Sequence, residues 1–394
     1  MSNYIQDDAD QFQRYASRPV DNASGMNHRG AQPRVQSTAF VIVLACLSIS
    51  MLQLPVVRYA IYACPILIFV LWLFDGGRLP SRTQLAITAP FIWLLILFVC
   101  YIPMSGIFAW KWTFFVCVYT SMFLFVDFSK GEMNLLPLNM VLVGMLAYSW
   151  VMGDSFAIDI NALKKGLTES SIATESTFAF PFGLFACFWI LKGRYLLGFI
   201  NFVLALVSFK RIVLIAMAAF LLSLLIPKKI RNSWGYALCG VFLTTLVSVL
   251  CVEFAQGQFD ELLTAVTGRS PNAFSMGRKE LWEDVLGRVG FDYADFVVMG
   301  VGMDQILGAH LTNALWQPFH NDFLAIWLSY GAIAMIVFAG LVLVPRHPSA
   351  RALATFILMI FSTDNVIIYQ HVMIPYLFMI SSVIQADIKE DAIA

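Results

Sequence analysis

The sequence predicts an all-α polytopic membrane protein, with about 12 transmembrane helices and one large outer loop that contains an amphipathic helix. Three observations predict it. Hydrophobic residues make up 59% of the chain and charged residues 13%, with a mean hydropathy of +0.76. A soluble domain carries roughly 45–50% apolar and about 25% charged residues. The excess is gathered into runs of about 17–22 residues, long enough to cross a hydrocarbon core of about 30 Å as a helix. Finally, Lys and Arg collect in alternate connections between the runs, the pattern of cytoplasmic loops.

The chain opens with a polar stretch, residues 1–37, holding Asp, Gln, Asn, Ser and Arg and lacking a signal-peptide apolar region or cleavage site. Such a composition predicts a disordered cytoplasmic tail. Residues 38–394 read as the transmembrane domain. Its first apolar run, from about Thr38, reads as an uncleaved span. The spans follow at about 38–56, 59–75, 85–102, 107–127, 135–152, 174–191, 195–209, 211–227, 235–255, 319–343, 350–368 and 371–387.

Orientation follows from the short loops. With Arg14, Arg18, Arg29 and Arg34 of the tail inside, the even-numbered connections also face the cytoplasm. They hold Arg78 and Arg82, Lys130, Lys192 and Arg194, then Lys228, Lys229 and Arg231, and Arg346 and Arg351. Both termini are then cytoplasmic. The hairpin "SFKRIVL" departs from the pattern by placing Lys210 and Arg211 outside. Either something compensates these charges, or the span count is off and the hairpin is cytoplasmic. The loop 256–318 also carries basic residues outside, Arg269, Arg278, Lys279 and Arg288, but long loops cross regardless of charge. Within it, "GRKELWEDVLGRVG" sets Leu281, Val285 and Val289 at i, i+4 and i+8, with Trp282 and Leu286 beside them. That spacing predicts an amphipathic helix lying in the membrane interface.

Composition also excludes some functions. A formal net charge of +0 and the absence of a basic module argue against nucleic acid as a partner. The seven cysteines all sit in apolar runs and none forms a CxxC, so they read as helix-packing residues rather than a disulfide framework or a zinc site. No internal repeat is visible, which counts against a transporter built from inverted repeats.

Three residues able to carry positive charge converge on the predicted outer face, each at a helix start: Arg211, Arg278 and His320. Arginine presents a planar fork of donors to phosphate oxygens, and a helix N-terminus adds amide donors and partial positive charge. A pyrophosphate at the membrane surface is the ligand such residues fit best. Plainer roles stay open: the arginines can snorkel to lipid phosphates, His320 can cap its helix, and Asp322 suits the helix dipole. A metal site from His310, Asp304 and His320 has no known ligand spacing. Asp154, Asp159, Glu169 and Glu175 read as solvated loop charges, with Glu175 and Ser176 able to face the same cavity.

"HNDFLAIWLSYG" gives His-Asn, nine residues, then Gly331; "GRKELW" and "KRIVLIA" stand upstream. This pattern resembles the superfamily of O-antigen ligases and O-antigen or exopolysaccharide polymerases, in which a His-Asn/Ser/Gln, nine residues, Gly, two residues, Gly/Thr/Tyr element follows a large periplasmic loop. Ala334 departs from its last position. The resemblance implies a metal-independent membrane glycosyltransferase of polysaccharide biosynthesis that needs no cofactor. Its donor would be an undecaprenyl-pyrophosphate-linked glycan, and its active site would face the periplasm from the bacterial inner membrane. On that resemblance His320 is the base or acceptor-orienting group, and Arg211 and Arg278 hold the pyrophosphate. Asn321, Lys210, Arg288 and Asp322 are further substrate-binding candidates. The expected product is O-antigen or exopolysaccharide polymerised from repeat units, with membrane lipid, a flippase and a chain-length regulator as partners. A ligase building lipopolysaccharide on a lipid A-core is the alternative. A lipid-linked-glycan flippase or transporter and a non-catalytic scaffold are rivals from other classes; the former would place ionisable residues near mid-depth of its spans.

Overall fold

The computed structural model describes residues 32–50, 57–130, 133–152, 177–208, 210–275, 277–308 and 319–393. Most of the predicted tail, the loop acids from Asp154 to Glu175, Ser176 and His310 lie outside the described residues.

Helix is the only regular structure among the described residues. In chain order the helices are α1 (Gln32–Ser50), a 3-10 turn (Val57–Ala63) leading into α2 (Cys64–Phe74), α3 (Arg82–Cys100), α4 (Ile107–Phe125) and α5 (Leu136–Met152). Next come α6 (Ala179–Leu191), α7 (Tyr195–Val207), α8 (Arg211–Leu225), α9 (Lys228–Arg231) and α10 (Trp234–Ala255). The remainder are α11 (Asp260–Thr267), α12 (Pro271–Phe274), α13 (Arg278–Val289), α14 (Met303–Gly308), α15 (Asp322–Tyr330), α16 (Ala332–Val342), α17 (Pro348–Phe361) and α18 (Gln370–Ile393). Among the described residues four helices are long and apolar enough to cross a membrane: α3, α4, α10 and the stretch Gln370–Lys389 of α18. Shorter apolar helices pack beside them. The fold is compatible with a helical membrane protein.

Helix ends gather at two opposite poles. At one, Gln36 near the start of α1 donates to Asp127 O just past α4. Gln84, at the start of α3, completes a capping box with Ser81 and donates to Phe123 O and Leu124 O at 3.1 and 3.0 Å. Arg351 is fully buried there, and its guanidinium donates to Leu343 O, Arg231 O and Ser233 O, tying α9, α16 and α17 together. At the other pole, Asp304 Oδ1 accepts from the Phe108 and Ala109 N–H groups that open α4, at 3.0 and 3.4 Å. Asp304 is thus a helix-capping ligand.

The stretch read as a disordered tail is helical from Gln32 onward, where α1 begins. Two further elements differ from the sequence expectation. The span at 319–343 is broken at Gly331 into α15 and α16. A break leaves backbone groups unpaired, which apolar surroundings do not tolerate. The segment 296–302 supplies the partners: Ala332 N–H donates to Phe296 O (2.9 Å), Ile333 N–H to Val297 O (3.1 Å), Val301 N–H to Leu328 O (3.0 Å) and Gly302 N–H to Ser329 O (2.9 Å). This approach demands glycine. Gly331 has φ +96°, and a Cβ there would sit 2.7 Å from Val298 C; on the facing segment a Cβ on Gly300 would sit 2.3 Å from Leu328 O.

The second difference is α13. It is amphipathic as expected, but Leu281, Trp282, Val285 and Leu286 are buried against protein rather than facing lipid. Trp282 packs on Phe254 of α10, and its indole N–H donates to Phe319 O at 2.8 Å. Among the cysteines, Cys100, Cys117 and Cys239 are exposed, so helix packing accounts only for the buried ones.

Candidate active site

The start of α15 is fixed by its own sequence. Asn321, in extended conformation at φ −164°, is the N-cap: its Oδ1 accepts from Leu324 N–H at 2.9 Å. The cap is therefore Asn321 and not His320, and an asparagine cap contributes about 1 kcal/mol. Its Nδ2 reaches Cys251 Sγ of α10 at 3.5 Å. Next in the chain, Asp322 does more than complement the helix dipole. Its Oδ2 accepts from the backbone N–H groups of Val366 and Ile367 at 2.7 and 3.0 Å, so it clamps the connection 362–369 onto α15.

That clamp shapes the residue before the cap. His320 has φ +57° and is the one non-glycine residue with positive φ among the described residues. Its N–H donates to Asn365 Oδ1. A side chain held in the left-handed region costs of order 1–3 kcal/mol and persists only where its surroundings over-determine it, a common feature of functional sites.

The strain turns the imidazole toward Asp364. This carboxylate is fully buried and receives donors from several directions: the Asn365 N–H (2.8 Å), His320 Nδ1 (3.4 Å), Tyr369 OH (3.4 Å) and, on the other oxygen, Lys210 Nζ. Lys210 is itself buried, with its ammonium 4.6 Å from the Phe180 ring centre. Burial pushes the Asp364 carboxyl up, but the His320 contact and the Lys210 charge outweigh it and hold the group below the ordinary carboxylate range. An ionised carboxylate only accepts. The proton of a neutral His320 ring therefore belongs on Nδ1, which leaves the Nε2 lone pair free to take a proton. The His320 side chain remains 30% exposed, so a substrate can reach it.

Beside this cluster lies a cavity of about 650 Å³ between α8 and α10, roofed by the 259–275 segment and the start of α13. Lys210, Arg211 and Arg278 all stand on its wall, with Ser275 and Thr363, among apolar residues such as Ile215, Leu250, Phe254 and Leu262. Its volume falls in the range of about 300–1,000 Å³ usual for small-molecule sites. Ile215, Leu250 and Leu262 are also exposed on the outer surface, so the apolar side of the cavity opens laterally. His320 is not on this wall. It meets the cavity through Asp364 and Lys210, and through Trp282, a wall residue bonded to the carbonyl just before His320.

The structure thus brings together Arg211, Arg278, Lys210 and His320, with Asn321 and Asp322 holding the backbone at the start of α15 rather than facing the cavity. Arg288 stands apart. It lies at the far end of α13, roughly 15 Å from Arg278 along the helix axis, and pairs with Asp284 at 2.6 Å on an exposed face. The sequence reading missed Asp364, Asn365 and Tyr369. A signal existed: a polar Asp-Asn pair in an otherwise apolar connection, and an outer lysine in want of a counter-charge.

No family model matches the chain, and no curated protein matches it.

Proposed function

We propose that the protein is a membrane glycosyltransferase that polymerises undecaprenyl-pyrophosphate-linked oligosaccharides into O-antigen or exopolysaccharide. The observation that carries this reading is one apolar, laterally open cavity with three cations on its wall, joined through a buried Lys210–Asp364 pair to a carboxylate-oriented histidine. A pyrophosphate on a polyprenyl chain needs that combination of cationic and apolar wall. A sugar hydroxyl needs that base.

The chemistry follows from the geometry. Arg211 and Arg278 bind the pyrophosphate and stabilise the charge that builds on it. The acceptor hydroxyl attacks the anomeric carbon of the donor; the bond from that carbon to the phosphate oxygen breaks, and polyprenyl pyrophosphate departs with the electron pair. The hydroxyl proton passes to His320 Nε2, and Asp364 stabilises the imidazolium. General-base help of this kind contributes roughly 10²–10⁴ in rate. In this reading the chain crosses the bacterial inner membrane about twelve times. Both termini are cytoplasmic, and the cavity faces the periplasm.

The test uses purified full-length protein with a lipid-linked repeat unit as both donor and acceptor and, in a parallel reaction, with lipid A-core as the acceptor. Chain elongation without any ion gradient is the expected result. It should fall at least a hundredfold in His320→Gly and in Arg211→Gln with Arg278→Gln. Absence of elongation, with transfer to lipid A-core instead, would replace the polymerase by a ligase. Equal turnover in the folded variants would remove the site assignment.

A further inference from the structure

The short helix α11 stands at the edge of the cavity, and the helix before it sets its height. α10 begins at the inner pole, where the Ser233 carbonyl accepts from Arg351. Its 22 residues rise about 33 Å, slightly more than a hydrocarbon core of about 30 Å. α11 starts just beyond its end, after a turn at Gly257 with φ +87°, and so stands at the far boundary of that core. Its first residue is tied to α13 by the Asp260–Lys279 ion pair at 3.3 Å, and it ends at Gly268 in the left-handed conformation. At about 3.6 residues per turn the helix divides into three faces. Asp260, Leu263 and Thr267 are half-buried and turn toward the protein, with Leu263 on the cavity wall. Glu261 and Thr264 are exposed polar residues on a second face. Leu262, Ala265 and Val266, at i, i+3 and i+4, are exposed apolar residues on the third, Leu262 at 62% and Val266 at 75%. Phe274 of α12, another cavity residue, is 49% exposed.

We infer that α11 lies in the lipid interface, on the loop-charge orientation the outer one, with Leu262, Ala265 and Val266 inserted among the acyl chains and Glu261 and Thr264 facing water. A helix surrounded by water alone turns its apolar residues to the protein. Here the protein-facing, apolar and polar residues occupy separate faces, the arrangement of an element that meets three media. Lipid rather than a second protein is the occupant for two reasons. Three side chains from two turns fall far short of the area of roughly 1,200 Å² that a stable protein interface buries. The apolar face is also continuous with the flank of a helix long and apolar enough to cross a membrane. Leu262 borders Ile215 of α8 and Leu250 of α10 around one cavity mouth, and α10 carries Leu238, Phe242 and Leu246 exposed along its length. The sequence expectation put the interfacial helix at α13. That helix packs Trp282 on the Phe254 and Phe319 rings, and α11 takes the interfacial position. Set there, α11 edges the lateral mouth of the cavity where the acyl chains begin, so the mouth opens below it into the acyl layer.

The inference rests on the membrane-spanning reading and not on glycan transfer, and its test reads depth alone. Full-length protein is returned to phosphatidylcholine vesicles in a Cys100→Ser, Cys117→Ser, Cys239→Ser background, which removes the exposed thiols. Spin labels are attached singly at Leu262→Cys, Val266→Cys, Glu261→Cys and Phe242→Cys, and the label taken up by the background alone is subtracted. All four positions are exposed, so the substitutions leave the packing intact. Each label is read for collision with oxygen, which enters lipid, and with a nickel chelate, which stays in water. The labels in place of Leu262 and Val266 should read about 5–10 Å into the headgroup–acyl boundary, the one in place of Glu261 on its water side, and the one in place of Phe242 deeper than all three. Nickel reaching the Leu262 and Val266 positions as freely as that of Glu261 overturns the inference. Shielding of both from oxygen and nickel alike overturns it too, because protein then covers the face. Nickel reaching the Phe242 position overturns it together with the membrane-spanning reading. Failed elongation with the expected depths overturns the transfer reaction and leaves α11 in the interface.

Discussion

Lys210 and Asp364 form an ion pair with almost no solvent, the lysine 7% and the aspartate 0% exposed. Replacing Lys210 by Met leaves a buried carboxylate without its cation. Replacing Asp364 by Asn leaves a buried ammonium facing an amide. Breaking a buried pair from one side costs about 3–5 kcal/mol, because the remaining charge stays desolvated. Removing both charges does not carry that cost. In Lys210→Met with Asp364→Asn the amide oxygen still accepts from the Asn365 N–H, so the double variant should lie within about 1–2 kcal/mol of the parent. Reversible unfolding in mixed micelles, run as a double-mutant cycle, measures this. Elongation tells the other half, since the stability regained by the double variant should bring back no turnover. The Asp364 carboxyl is held below its ordinary value, so its stabilisation is fully present above the unfolded value of about 3.9 and is lost only as pH falls through the depressed folded one. Between pH 5 and 8 Asp364 therefore contributes no titration of its own. Costs that add to within about 0.5 kcal/mol would refute the reasoning, because independent sites behave that way and a shared buried pair does not.

Three further outcomes follow from the backbone around His320. His320→Gly removes the side chain but suits φ +57°, so the protein should stay within about 1 kcal/mol of the parent in stability while elongation falls by roughly 10²–10⁴; comparable turnover in a folded glycine variant would exclude His320 as the base. Gly331→Ala meets both a positive φ and a Cβ contact 2.7 Å from Val298 C, and should lose at least about 1–3 kcal/mol from backbone strain alone, read as a drop in unfolding midpoint or in folded yield. Asp322→Ala strips the acceptor from the Val366 and Ile367 N–H groups and should cost about 1–3 kcal/mol. Asp322→Asn keeps an acceptor oxygen and should cost less than the alanine; equal losses from the two would show that the clamp does not act through that oxygen.

The helical architecture was legible because hydropathy and loop charge act locally, each run of residues declaring its own length and each connection its own charge. Arg211 and Arg278 were legible for the same reason, as basic residues at helix starts. Lys210 declared a debt without naming what settles it: its partner Asp364 is 154 residues away, and the packing of α8 against α17, which leads into the 362–369 connection, joins them. The break at Gly331 was hidden because α16 continues as apolar as α15, and composition cannot report that segment 296–302 supplies the missing hydrogen bonds. The amphipathic spacing of α13 required that its apolar face be covered, but spacing does not distinguish lipid from the Phe254 and Phe319 rings.

Where the ionisable groups lie weighs on the choice between an enzyme and a flippase. A carrier that moves a charged headgroup across the membrane is expected to hold ionisable side chains near mid-depth, at its substrate site. Among the described residues the charges fall at the two poles instead. Lys210, Arg211, Arg278, His320 and Asp364 lie at one and Arg231, Arg351, Lys192 and Lys389 at the other. Lys111 turns back over the Phe108 ring near the start of α4, and Glu253, near the end of α10, accepts from Tyr293 OH. The interior polar cluster is neutral: Asn139 and Asn201 bond each other at 2.8 and 2.9 Å, and the Trp189 indole N–H donates to Asn139 at 3.2 Å. Those partners satisfy one another and leave no charge to guide a pyrophosphate inward. On the proposed function, a site that binds the headgroup at one pole, reaches lipid sideways and keeps a base beside it would react with its ligand where it lies. This is why elongation by purified protein without a gradient separates the two classes more sharply than any measurement of lipid binding.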